Sequence, residues 1–161
     1  MRTLLLYYSN HHSIRSLCEA SAKEDQVDVI ELRDRYERGR LWAYTAGTYK
    51  AICGTGSKID EINIDIEKYD SIIIATPVWG FNPVPAVNEF LHRVNLGSRE
   101  VSGLLIHPGK SAGMAGDILR KRIKLAGGSC CGIVCVPHKE LKQKNCDIYS
   151  FIKLKFQRAA E

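Results

Sequence analysis

Five short, unbroken apolar runs constrain this chain more than any other feature: Thr3 to Tyr8, Val27 to Leu32, Ser71 to Thr76, Leu104 to His107 and Gly132 to Val136. Each is too short for a helix, rich in Leu, Ile and Val, and not cleanly alternating. A strand with one wet face alternates apolar and polar residues, so unbroken runs fit strands covered on both faces, as in a parallel sheet. Helical periods lie between them. Ile14, Leu17, Cys18 and Ala22 follow one such period; Val84, Val87, Phe90, Leu91 and Val94 follow another, behind Pro83 and Pro85, which suit a helix start. Ala115, Ile118, Leu119, Ile123 and Ala126 give a third, ended by Gly127, and Ile148, Phe151, Ile152 and Phe156 a fourth. Alternation of this kind predicts right-handed crossovers and a doubly wound α/β fold, with five parallel strands and helices on both faces. The segment from Arg38 to Lys68 breaks the pattern and reads as a short helix around Leu41 to Ile52 followed by a loop.

With 161 residues and no linker or repeat, the expectation is one domain spanning 1–161. No apolar run approaches the length of a membrane span, and Met1-Arg2 leads into a strand without a cleavage site. The expected setting is cytoplasmic, without a membrane, and the six cysteines are then reduced thiols. Cys130, Cys131 and Cys135 are expected to pack in the core, and Cys53 to be exposed. The formal charge is +5, much of it in Arg120, Lys121, Arg122 and Lys124, and in Lys139, Lys142 and Lys144. These read as solvated helix faces or loop ends, the alternative being a dock for an acidic partner. No dense basic stripe interleaved with aromatics points to nucleic acid.

In open α/β sheets ligands bind beyond the carboxyl ends of the strands, where the strand order reverses. Three loops occupy that rim. The first, Ser9-Asn10-His11-His12-Ser13-Ile14, leads straight into a helix whose free N–H groups suit a phosphate or other anion, with Arg15 near enough to add charge. The competing reading is that Ser13 merely caps the helix. A metal at His11-His12 lacks nearby Cys, Asp or Glu to complete a ligand set. The second, Pro77-Val78-Trp79-Gly80-Phe81-Asn82, crowds two aromatics and a glycine into a strand-to-helix turn that either packs on its own helix or stacks on a planar ligand. The third runs from His107 to Gly113. Its Gly109-Lys110-Ser111 imitates the end of a nucleotide phosphate loop, but that motif needs a glycine where Leu104 stands. A phosphoacceptor domain wants acidic residues where Tyr8-Ser9 and Thr76-Pro77 stand, and a dinucleotide fold wants glycines that the first loop lacks.

Tyr7-Tyr8-Ser9-Asn10 opening a helix, then Pro77-Val78-Trp79-Gly80 and Pro85-Ala86-Val87 with Phe90-Leu91, resembles the flavodoxin-like family of FMN proteins, over nearly the whole span from Thr3 to Val136. The resemblance implies that FMN is bound noncovalently. Its phosphate would lie on Ser9, Asn10, His11, His12, Ser13 and Ile14. Pro77, Val78, Trp79, Gly80, Phe81 and Asn82 would cover one side of the flavin. His107, Pro108, Gly109, Lys110, Ser111, Ala112 and Gly113 would line the other. The chain departs from the family pattern at His11, His12 and Ile14, where Thr, Gly and Thr are usual, and in its positive charge, since typical flavodoxin surfaces are acidic. Trp79 is the expected stacking ring and Gly80 the backbone that answers to oxidation state; no catalytic acid or base is singled out. The resemblance leaves three roles open. One is an electron carrier serving a redox partner protein. Another is an NAD(P)H-dependent reductase of quinones or other small acceptors, which would be a dimer with Arg38 to Lys68 shaping its substrate side. The last is a cofactor-free binding module.

Overall fold

The computed structural model describes residues 1–35, 48–53, 56–109, 111–143 and 147–159. Five parallel strands form the sheet: β1 (Thr3–Tyr7), β2 (Val27–Glu31), β3 (Ser71–Trp79), β5 (Glu100–His107) and β6 (Ser129–Pro137). Their spatial order is β2-β1-β3-β5-β6, and the two-residue β4 (Asn82–Pro83) folds back antiparallel on β3. Counting the parallel strands alone, the order is 2-1-3-4-5, the flavodoxin-like doubly wound arrangement, with its switch point between β1 and β3. The fold read from the sequence is therefore the fold observed.

The helices are α1 (His12–Ala20), α2 (Thr48–Ile52), α3 (Pro85–Arg93), α4 (Ala115–Leu125), α5 (His138–Gln143) and α6 (Ile148–Ala159). The period-2 geometry of the strands sends successive residues to two separate cores. Leu4, Leu6, Ile72, Ile74 and Leu105 pack with Val87, Leu91, Leu119 and Ile123 of α3 and α4 on one face. Leu5, Tyr7, Ile73, Leu104 and Ile106 pack with Ile14 and Cys18 of α1 and Phe151 and Ile152 of α6 on the other. Two covered faces are the reason the strand runs are unbroken. Leu4, Leu5 and Leu6 have no exposed surface at all. Burying one such side chain contributes roughly 1.5–3 kcal/mol.

Three expectations change. β3 does not stop at Thr76; it runs on to Trp79, and Pro83 lies in the returning β4 rather than at a helix start, which Pro85 alone provides as the first residue of α3. β3 remains paired to β5 as far as Pro77 with Ile106, so the strand has a partner through its proline. β6 begins at Ser129, with an irregularity opposite Val101 and Ser102 that leaves Cys131 unmatched. Cys131 and Cys135 are exposed and Cys130 is half-buried, not the core thiols expected, because β6 is the edge of the sheet. Cys53 is exposed as expected and Cys18 is buried. Of the irregular segment, Thr48–Ile52 is helical as read, while 36–47 lies outside the described residues. No helix among the described residues is long and apolar enough to cross a membrane.

Candidate functional site

The carboxyl ends of β1, β3 and β5 open into a cleft of about 230 Å³ at the switch point. Its lining draws on all three anticipated loops: Ser9, Asn10, His11 and Ile14 from the first, Pro77, Val78, Trp79 and Gly80 from the second, and His107 and Pro108 from the third. His12, Ser13, Phe81, Asn82, Gly109, Ser111, Ala112 and Gly113 stand outside the lining, and Lys110 lies outside the described residues. Tyr8, Thr48, Ile106 and His138 line it without having been anticipated. His138 follows β6, so inspecting the carboxyl end of the fifth strand as well as the first, third and fourth would have found it. Thr48 lies in the segment from Arg38 to Lys68 that was expected to shape a substrate side, though no single residue of it was picked out.

The first loop is braced from within. The Ser9 hydroxyl donates to the His11 carbonyl at 2.9 Å and accepts from the His11 N–H at 3.2 Å, so its one proton is committed. Arg15 is also spoken for: it donates to Glu31 at 2.7 Å and to the Ser9 carbonyl at 3.2 Å. The hydrogen-bonded Glu31 carboxylate raises the Arg15 pKa, and the side chain ties the loop to the end of β2 rather than facing a ligand. The helix cap is His11, not Ser13, and His11 makes no side-chain cap. The backbone N–H groups of Asn10, His12 and Ser13 bond to no described residue, so the open donors here are backbone ones at the positive end of α1. Ile14, 3 % exposed, gives its side chain to the core. The His11 and His138 rings, both in the lining, lie side by side 4.7 Å apart, tilted by 34°.

The second loop is a two-residue hairpin. Trp79 pairs with Asn82, and both central residues have positive φ, Gly80 at 55° and Phe81 at 62°. That is the conformation of a type I′ turn, whose twist suits antiparallel neighbours. Asn82 Nδ2 donates to the Gly80 carbonyl at 3.0 Å, fixing the turn from below. The turn sets Trp79 edge-on to Tyr8, with centroids 5.7 Å apart and planes at 90°. Two perpendicular rings therefore form a corner of the cleft. In the third loop, His107 is 5 % exposed and its Nδ1–H donates to the Gly109 carbonyl at 2.9 Å, while Ser111 Oγ accepts from the Gly113 N–H at 2.9 Å. Both side chains brace their loop. Gly109 has open space around its Cα, and Gly113, at φ 57°, lies against the Phe81 ring. Among the described residues no cluster of His, Cys, Asp or Glu is placed to hold a metal ion.

No family model matches the sequence, and no curated protein matches it. Solved structures do. A flavoprotein in complex with FMN from Lactobacillus acidophilus NCFM superposes with a TM-score of 0.69 at 21 % identity, over 83 % of this chain and 92 % of that one. An NADPH-quinone reductase from P. pentosaceus gives 0.55 at 11 % identity, covering 100 % and 98 %. A flavodoxin from the domain Archaea gives 0.52 at 12 %, covering 95 % and 99 %. At these identities the likeness defines the class of fold: a flavodoxin-like α/β protein, in agreement with the strand order.

Proposed function

We propose that the cleft binds FMN noncovalently and that the chain is a redox protein working through that flavin. The observation that carries the reading is the cleft itself. Asn10, whose backbone N–H is open, lines the cleft beside the start of α1, and Tyr8 and Trp79 form an aromatic corner of the same lining. The donor set fits a phosphate: backbone N–H groups at a helix start replace the hydroxyls that Ser9 has committed and the threonines that the loop lacks. His11 and, beside it, His138 also line the cleft. Pro77, Val78 and Trp79 would cover one side of the ring, and His107 and Pro108 would approach the other.

When bound, FMN supplies one- and two-electron transfer. The chain's own part is to hold the ring in an apolar corner, restrict water, and present the Gly80 backbone at its edge. The FMN-bound Lactobacillus flavoprotein of similar fold supports the cofactor, and the archaeal flavodoxin supports a carrier serving a redox partner. A second reading, a reductase of quinones or other small acceptors, is favoured by Thr48: α2 brings part of the segment expected to shape a substrate side into the lining. The NADPH-quinone reductase of similar fold supports it.

Titration of the purified chain with FMN and with riboflavin, read by flavin absorbance and fluorescence quenching, tests the cofactor. Saturable binding of FMN, and weaker binding of riboflavin, is expected; no uptake of either ends the reading. Trp79→Ala should weaken FMN by about two- to twelvefold, the size of one lost aromatic contact of roughly 0.5–1.5 kcal/mol. NADPH oxidation by the loaded chain that depends on an added quinone would favour the reductase over the carrier.

A further inference from the structure

Beside the hairpin, on the face of the sheet covered by α3 and α4, those two helices leave a groove of about 520 Å³. Its walls come from Leu91 and His92 of α3 and from Ile118, Lys121, Arg122 and Leu125 of α4. The four α4 residues are spaced i, i+3, i+4 and i+7, so they form a second stripe on a helix whose core stripe is Ala115, Leu119 and Ile123. Ile52 and Cys53 at the end of α2 and Asn82 of the hairpin close one end. Leu125 is 78 % exposed and Ile52 is 59 % exposed. At the floor, Asn88 is 2 % exposed, and its Oδ1 has no hydrogen-bond partner while its Nδ2 donates to the Pro83 carbonyl at 3.3 Å.

We propose that this groove is the docking surface for an acidic protein partner. The charge around the groove selects that occupant. Lys121 and Arg122 stand at the groove, and Arg120 and Lys124 flank them on α4. The acidic groups on the same two helices are Glu89, bridged to Arg93, and Asp117 in the first turn of α4. The face is therefore basic with an apolar floor, which matches an acidic rim around an apolar core on the partner. A second copy of this chain fits poorly, because a two-fold contact would set the same cations against each other. The groove is also continuous with the cleft. Gly80 lines the cleft, and a Cβ built on it would meet the Ile52 side chain at 2.5 Å. A protein seated here would cover the cleft's hairpin wall. Phe81 and Met114, 61 % and 66 % exposed, extend the apolar rim towards the third loop.

The test uses the full chain, with and without added FMN, against two acidic probes, a plant-type [2Fe–2S] ferredoxin and an acidic flavodoxin, with basic cytochrome c as control. Binding is read by calorimetry and by amide and methyl shifts of the labelled chain. Expected are shifts confined to Leu91, Ile118, Leu125, Ile52 and their neighbours. Affinity should fall at least tenfold between low and physiological salt. Lys121→Glu and Leu125→Asp, both at exposed positions, should each weaken binding by about tenfold, and Lys23→Glu on the opposite face by less than twofold. Failure of both acidic probes to bind, equal binding of cytochrome c, shifts elsewhere on the surface, or self-association through the groove would each overturn the proposal. Docking that persists in a chain unable to take up FMN would support the surface while refuting the cofactor reading.

Discussion

At the scale of single residues, the hairpin at the cleft is where conformation and function meet. Gly80 holds φ 55° with the Ile52 side chain packed over it, so Gly80→Ala puts a Cβ into both a left-handed backbone and an occupied space. The expected cost is about 1–2 kcal/mol, read as a lower denaturation midpoint at unchanged denaturant dependence. Phe81 is a bulky residue at φ 62°, a conformation seldom adopted without glycine or asparagine. Its ring lies over Gly113, which joins the second rim loop to the third. This part of the site was only partly legible in the sequence. The Pro-rich stretch from Pro77 announced a special rim segment, and Trp79 and Gly80 do line the cleft. The hairpin went unread because prolines argue against a strand, and here Pro77 and Pro83 occupy the end of β3 and a two-residue strand. The commitment of Ser9 and Arg15 to internal bonds was equally hidden: residue type shows a donor but not which acceptor reaches it first.

At the scale of elements, the start of α6 shows how a helix end is secured across the chain. Asp147 Oδ1 accepts from the Ser150 N–H at 3.0 Å and from the Ser21 hydroxyl at 3.1 Å, and Ser21 Oγ accepts from the Tyr149 N–H at 3.1 Å. One acid and one distant serine thus satisfy two of the open donors of the helix. Burial alone would raise the Asp147 pKa, but the hydrogen bonds from Ser150 and Ser21 outweigh it and hold the carboxyl below its usual range. A lowered folded value contributes stability that is fully present above the ordinary carboxylate pKa and is lost as the pH falls through the folded one. Stability should therefore decline below about pH 4, and Asp147→Asn, which can still cap, should flatten that decline. Asp147→Ala should cost about 1 kcal/mol at neutral pH. Denaturant titrations from pH 2.5 to 7 check both. The helices α1, α3, α4 and α6 were legible from their apolar period. The six-residue α5 was not, since one and a half turns carry too little period to register.

At the scale of the molecule, the unbroken strand runs implied the doubly wound sheet, and the rule that ligands sit at its carboxyl edge led to the cleft. What stayed illegible was the outer edge, where the exposed cysteines of β6 look like core residues because edge strands still carry apolar side chains. If the cleft takes FMN, saturating it at about a hundred times its dissociation constant should add about 2.7 kcal/mol of stability. That should raise Tm by about 5–10 °C, and riboflavin should give a smaller rise at equal concentration, measured by differential scanning calorimetry.

The sheet order also bears on how the chain reaches this state. Thr3 pairs with Val27 on one flank and with Ser71 on the other, so the first of the five strands in chain order ends up interior, gripped from both sides. It must wait for a stretch made much later before its second edge is covered. Zipping from one end is ruled out, and assembly has to grow outward from a centre that is itself non-local.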